Sequence, residues 1–198
     1  MLLSGINIGV AMTGSFCTYE KIFKALEQLV EEEANVTTIF SNSSSTIDSR
    51  FGNAKDHLER AERITGKKPI TTIVAAEPIG PTKMFDILLI SPCTGNSLAK
   101  LANGIVDTPV LMAAKSHLRN NRPLVIHLSS NDSLSMNLKN IGLLANSKNI
   151  YFVPFGQDNC IGKPNSMISN PELIIPTLLS ALQEKQLQPV IQGCSFKL

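Results

Sequence analysis

The stretch Ser91-Pro92-Cys93-Thr94-Gly95-Asn96-Ser97-Leu98-Ala99-Lys100-Leu101-Ala102-Asn103-Gly104-Ile105-Val106-Asp107 decides how the rest of the chain is read. Immediately before it, Phe85 to Ile90 is a short apolar run bounded by turn signals, which suits a buried parallel strand. Pro92 to Asn96 are small or polar. Leu98, Ala99, Leu101 and Ala102 then fall at helical spacing, and Gly104 is a stop signal. A buried strand therefore ends in a polar elbow that opens a helix. In open α/β sheets, ligands sit beyond the carboxyl ends of the strands, where helix N-termini present N–H groups. Thr94, Asn96 and Ser97 add side-chain donors and acceptors at that point. The ordinary use of such a Ser/Thr/Asn cluster is a helix N-cap, and that reading stands beside the ligand site.

The same pattern recurs on both sides. Ile6 to Met12 reads as a first strand, closed by the tight turn Thr13-Gly14-Ser15. Cys17 to Ala34 carries Ile22, Phe23, Leu26, Leu29 and Val30 at spacings of three and four, with Glu and Lys on the other face, so it is an amphipathic helix. Val36 to Phe40 is a β-branched second strand, followed by Ser41 to Thr46, which reads either as a loop or as hydroxyls facing the crevice. Asn53 to Thr65 is helical, and Pro69 to Gly80 fits a short helix and a strand equally. Thr108 to Leu118 is a helix with Pro at its first position. Leu124 to Leu128 is a strand ending in the polar run Ser129 to Ser133, Met136 to Ala145 a helix, Ile150 to Val153 a last strand, and Pro171 to Gln186 a closing helix. Phe155 to Asn170, with no regular period, is expected to be a flap loop. Gln192 to Leu198 is expected to be a tail.

Strands alternating with helices give a parallel sheet covered on both faces. The expected fold is α/β: a single domain over residues 1–198, a doubly wound parallel sheet in a three-layer flavodoxin-like or Rossmann-like sandwich. The chain of 198 residues is 43% hydrophobic with a net charge of +2, so composition gives no reason to propose nucleic acid as a partner. No apolar run approaches the roughly 20 residues that span a bilayer. Cys17, Cys93, Cys160 and Cys194 form no C-x-x-C pair and read as reduced thiols of a cytosolic protein. His57, His117 and His127 have no spaced partner of zinc-site type, so no metal is expected. There is no G-x-G-x-x-G fingerprint and no P-loop, and no acidic residue ends the second strand. These absences disfavour a dinucleotide and leave a mononucleotide as the better fit, with Gly14 allowing a close backbone approach to phosphate and Ser15 donating to it.

Thr13-Gly14-Ser15, together with Pro92-x-Thr94-x-Asn96-Ser97-Leu98-Ala99-Lys100-x-Ala102-x-Gly104-Ile105-x-Asp107, resembles the flavoprotein family of homo-oligomeric, flavin-containing cysteine decarboxylases. The resemblance implies FMN as cofactor. Gly14, Ser15 and Ser41 or Ser43 would hold its phosphate, and Thr94, Asn96 and Ser97 would contact its ribityl chain and ring; Thr13, Pro92 and Asn131 complete the implied cofactor set. It also implies a homo-oligomer, a trimer or higher, with sites at subunit interfaces. The family's decarboxylases carry a catalytic His before the central strand, where this chain has Ala76 to Asp86 without one. Their Pro-x-Met-Asn segment is here Ser129 to Ser133, where Asn131 corresponds, and their cysteine-bearing flap is echoed loosely by Gly156 to Gly162, with Cys160.

The likeness extends over nearly the whole chain, through Ala76-Glu77-Pro78-Ile79-Gly80-Pro81 and Ala113-Ala114-Lys115-x-His117-Leu118-Arg119, to a branch of the family that works with a second, dehydrogenase-like subunit. For this chain it implies an oxidoreductase subunit acting on a small dicarboxylate. NAD(P) would sit on the partner subunit, and the enzyme would work in the cytoplasm of the mother cell of a sporulating bacterium. A dicarboxylate needs cationic clamps, for which Lys115, His117 and Arg119 are candidates, with Glu77 as a candidate acid or base. Two alternatives are a non-catalytic scaffold subunit that activates its partner, and a decarboxylase with altered acid/base residues.

Overall fold

The computed structural model describes residues 1–193. Five strands form a parallel sheet in the order β2-β1-β3-β4-β5. They are β1 (Asn7–Met12), β2 (Asn35–Phe40), β3 (Ile87–Cys93), β4 (Leu124–Ser130) and β5 (Ile150–Phe152). This is the flavodoxin-like α/β order, and it reverses direction of travel between β1 and β3. The central strands are buried on both faces, as their continuous apolar runs require.

Side chains alternate between two cores. One face, with Ile8, Val10, Ile87 and Leu89, packs against α1 (Tyr19–Glu31), α3 (Ala54–Thr65) and α8 (Ile174–Leu182). The other, with Leu88, Ile90, Ile126 and Leu128, packs against α4 (Ile73–Ala76), α5 (Gly95–Ala102), α6 (Pro109–Leu118) and α7 (Leu138–Ala145). Among the described residues, no helix is long and apolar enough to cross a membrane.

Four segments differ from the sequence reading. Ser41 to Thr46 is more than a loop: Asn42–Thr46 is a short helix, α2, because the Ser41 hydroxyl caps it by accepting from Ser44 N at 3.2 Å. The ambiguous Pro69 to Gly80 divides. Ile70 makes a single parallel bridge to Ile39, and Thr72 then caps α4, which continues into a 3-10 turn at Glu77–Ile79.

The segment Phe155 to Asn170 is an antiparallel hairpin rather than a loop, made of β6 (Phe155–Asn159) and β7 (Lys163–Ser169). β7 pairs with the end of β4 at Ser129 and Ser130, so the seven-stranded sheet is mixed. Its strands alternate weakly and carry Gly, Asn and Pro, so the pairing comes from docking on β4 and not from a period-2 signal. Finally, Gln192 belongs to a bridge region: its N–H bonds Phe155 O at 2.8 Å. Of the expected tail, residues 194–198 lie outside the described residues.

Candidate functional site

The carboxyl ends of β1, β2 and β3 open into one crevice of about 320 Å³, lined by Thr13, Gly14, Phe16, Ser41, Asn42, Ser43, Ile47, Thr94, Asn96, Ser97 and Thr108. It lies where the strand order reverses, the place where a flavodoxin-like sheet takes its ligand. Its size suits a small molecule. Among the described residues, those lining the crevice carry no charge; hydroxyls, amides and two apolar side chains make up its walls.

The elbow after β3 is held by Thr13. This side chain is 1% exposed. Its hydroxyl donates to Pro92 O at 2.7 Å and accepts from Thr94 N at 3.0 Å, tying the end of β1 to the end of β3. Thr94 in turn caps α5: its Oγ1 accepts from Ser97 N at 3.3 Å and donates to Ser97 Oγ at 3.1 Å. Thr94 is therefore an ordinary N-cap and a crevice wall at once. Asn96 is exposed at the mouth. Tyr19 supports the other side by donating from its hydroxyl to Thr13 O at 3.0 Å, and burial pushes that phenol well above its ordinary pKa.

A Cβ placed on Gly14 would lie 3.6 Å from Ser43 Cβ and 3.7 Å from the Phe16 ring, so it would fill the gap between those two walls. Gly95 has a different reason. A Cβ there would meet Ser130 Oγ, Asn137 Nδ2 at 2.6 Å and Asp132 Oδ1 at 2.7 Å. Glycine lets the polar turn after β4 pack directly on the start of α5. In that turn the Asp132 carboxylate accepts from Ser130 Oγ and from Asn137 Nδ2 at 2.8 Å, which holds its pKa below the usual carboxylate range.

Of the residues singled out in the sequence, Thr13, Gly14, Ser41, Ser43, Thr94, Asn96 and Ser97 converge on the crevice. Pro92 is buried and contributes its carbonyl to Thr13. Ser15 and Asn131 line a second, smaller hollow of about 90 Å³ beside the crevice, where Ser15 Oγ lies 2.8 Å from Ser129 Oγ.

Glu77, Lys115, His117 and Arg119 do not reach the crevice. Helix α6 runs antiparallel to the strands: Thr108, its N-cap, lines the crevice, and its last turn lies about 15 Å away at the amino ends of the strands. There Asn120 Nδ2 donates to Gly80 O at 2.8 Å, which places the Glu77 turn against that last turn. Lys115, Arg119 and Glu77 are exposed. His117 is buried with Nε2 2.9 Å from Pro123 O, and burial lowers its pKa to about 4, so it is a neutral structural side chain at pH 7.

Phe16, Asn42, Ile47 and Thr108 were not singled out as site residues. Thr108 carried only its capping signal before Pro109, and Ile47, an apolar residue half exposed at the crevice, carried no signal at all.

Fold and crevice together define a flavodoxin-like α/β protein with a crevice of small-molecule size at the β1/β3 switch point. Residues 2–175 match the Flavoprotein family, and the chain belongs to that family. The B subunit of dipicolinate synthase from Bacillus subtilis (strain 168) is 46% identical over 189 residues, covering 96% of this chain and 94% of that protein. The crystal structure of the corresponding B subunit from Bacillus halodurans C is 42% identical with a TM-score of 0.90, over 98% of this chain and 99% of that one. The FMN-dependent cysteine decarboxylase SpaF shares the fold at 18% identity, with a TM-score of 0.65 over 93% of this chain and 98% of its own.

Proposed function

We propose that this chain binds FMN in the strand-end crevice and is the flavin-carrying subunit of a two-subunit dipicolinate synthase. The reaction would oxidise a dihydrodipicolinate-type intermediate to pyridine-2,6-dicarboxylate during sporulation, in the mother-cell cytoplasm. The observation that carries this reading is the hydroxyl- and amide-lined crevice at the β1/β3 switch point in a chain so similar to the B subunit of dipicolinate synthase.

The donor set fits a flavin mononucleotide. Gly14 and Ser43 form a narrow cradle suited to a phosphate, while Thr94, Asn96 and Ser97 suit a ribityl chain and the polar ring edge. Phe16 and Ile47 give an apolar wall for a ring face. FMN, when bound, supplies two-electron redox chemistry; the protein orients it and excludes water. The A subunit of dipicolinate synthase, dehydrogenase-like and holding NAD(P), would be the partner. A homo-oligomer, trimer or higher, would wall the open side of the crevice.

A second reading has one specific observation in its favour. Among the described residues, those lining the crevice include no group able to act as an acid or base at neutral pH. This favours a subunit that carries flavin for, or activates, its partner over one that moves protons itself, and it disfavours an independent decarboxylase.

The test is a visible absorbance titration of the purified chain with FMN, beside Asn96→Ala. Binding with a shifted flavin spectrum, weakened about tenfold in the variant, is the expected result, since one polar contact to a ligand is worth roughly that factor. Addition of the A subunit, NAD(P) and the dihydro substrate should then yield dipicolinate. No FMN binding at saturating concentration sinks the flavin reading and leaves the activating subunit.

A further inference from the structure

The small hollow beside the crevice holds a feature that the proposed function does not use. Its walls come from the β1 turn (Ser15), the end of β4 (Ser129 and Asn131) and the hairpin (Asp158, Lys163 and Ser166). Ser129 and Ser166 are buried, and the Ser15–Ser129 and Ser166–Asn131 contacts, at 2.8 and 3.4 Å, form a hydroxyl-rich floor. Lys163 Nζ lies 3.0 Å from Asp158 Oδ2 at the rim. Among the described residues, Lys163 is the one cation lining either this hollow or the crevice. The two cavities are neighbours: Gly14 lines the crevice and Ser15 the hollow, and Ser130, another wall of the hollow, packs on Gly95 at the start of α5.

We propose that Lys163 is a specificity-determining residue that takes a carboxylate of the substrate, and that Asp158 occupies its ammonium until the acid arrives. This rests on the reading that the site acts on a small dicarboxylate. Four observations support it. Asp158 shows that a carboxylate oxygen can sit at hydrogen-bonding distance from Nζ at this position. An ammonium has three donors, so Lys163 can exchange or share acceptors. The pair is substantially exposed, with side-chain exposures of 57% and 37%, and ion pairs of that kind contribute little stability, so displacing Asp158 costs little. One hydroxyl of the Ser15–Ser129 pair and the side-chain amide of the exposed Asn131 can donate to the second carboxylate oxygen, giving the charge-assisted set that a carboxylate selects. The residues first expected to hold the acid, Lys115, His117 and Arg119, lie at the other end of α6 and leave this role open.

The two partners are predicted to shift affinity in opposite directions, which a merely structural ion pair would not do. The experiment is isothermal titration calorimetry of the full FMN-loaded chain with pyridine-2,6-dicarboxylate. Lys163→Met should weaken binding at least tenfold, the usual effect of losing a hydrogen bond to a charged group. Asp158→Asn, which removes the internal competitor and keeps the shape, should tighten it about two- to fivefold. FMN affinity should be the same in both variants. Wild-type binding that Lys163→Met leaves unchanged overturns this inference alone, and so does weakening by both variants. If the wild-type chain, loaded with FMN, takes up no diacid, the dicarboxylate reading itself fails, and this inference fails with it.

Discussion

Thr13 is one residue on which both the fold and the crevice depend, and Thr13→Val isolates that role. Valine keeps the shape and the buried methyl and removes only the hydroxyl. The hydroxyl makes two bonds, 2.7 Å to Pro92 O and 3.0 Å from Thr94 N, at a site that is 1% exposed. Pro92 O keeps a partner, since Thr13 N also donates to it at 3.3 Å. Thr94 N loses the partner that Thr13 supplied. An orphaned donor costs about 1–3 kcal/mol and the lost acceptor interaction about 1 kcal/mol, so the variant should lose about 2–4 kcal/mol. That is a large share of the about 5–15 kcal/mol typical of a domain, yet small enough to leave the chain folded. Thr13→Ser keeps both bonds and loses one methyl, which should cost about 1 kcal/mol. Urea unfolding followed by far-UV circular dichroism gives both differences. Because Thr94 caps α5 and lines the crevice, Thr13→Val should also weaken FMN binding by about tenfold, read as quenching of flavin fluorescence. A Val variant within 0.5 kcal/mol of wild type, or a Ser variant as destabilised as Val, would refute the bridging role.

Two further expectations concern the rest of the molecule. The Gln186 side chain accepts from Phe152 N at 2.8 Å and donates to Phe152 O at 2.7 Å, covering the open edge of β5 as a further strand would. Gln186→Ala should cost about 2 kcal/mol in urea unfolding, and the uncovered edge should raise self-association seen by light scattering; unchanged stability would show that the edge needs no cover. His117 and His127 are both held neutral, each with its pKa lowered from 6.5 to about 4, chiefly by burial, with Arg122 and Lys21 respectively adding to the effect. A depressed folded-state pKa means that the unfolded chain takes up the proton first. Their contribution is therefore full above pH 6.5 and is lost as pH falls from 6.5 towards 4, at about 1.4 kcal/mol per unit for each His. Stability at pH 5 should be about 4 kcal/mol below that at pH 7, and a fall of under 1 kcal/mol would contradict two buried neutral imidazoles.

The α/β alternation, the two-faced burial of β1, β3 and β4, and the polar character of the strand ends could all be read from the chain. Apolar runs such as Ile87 to Ile90 and the helical spacing of Ile22, Phe23, Leu26 and Leu29 are local patterns, and local periodicity is what a one-dimensional sequence records. The clusters at Thr13, Ser41 and Thr94 could likewise be recognised one by one, because caps and turns act within a few residues. Which clusters meet is a matter of strand order. The sheet runs β2-β1-β3-β4-β5, so the ends of β1, β2 and β3 share one crevice, while Ser15 and Asn131 turn toward the neighbouring hollow. Lys115, His117 and Arg119 follow the central motif closely in sequence, but α6 carries them to the far end of the sheet. The hairpin at Phe155 to Ser169 had no period to betray it; its pairing with Ser129 and Ser130 joins residues nearly forty positions apart, and it brings Lys163 and Asp158 beside the crevice. Contacts over such separations depend on the packing of the completed sheet, so only the tertiary structure could decide them.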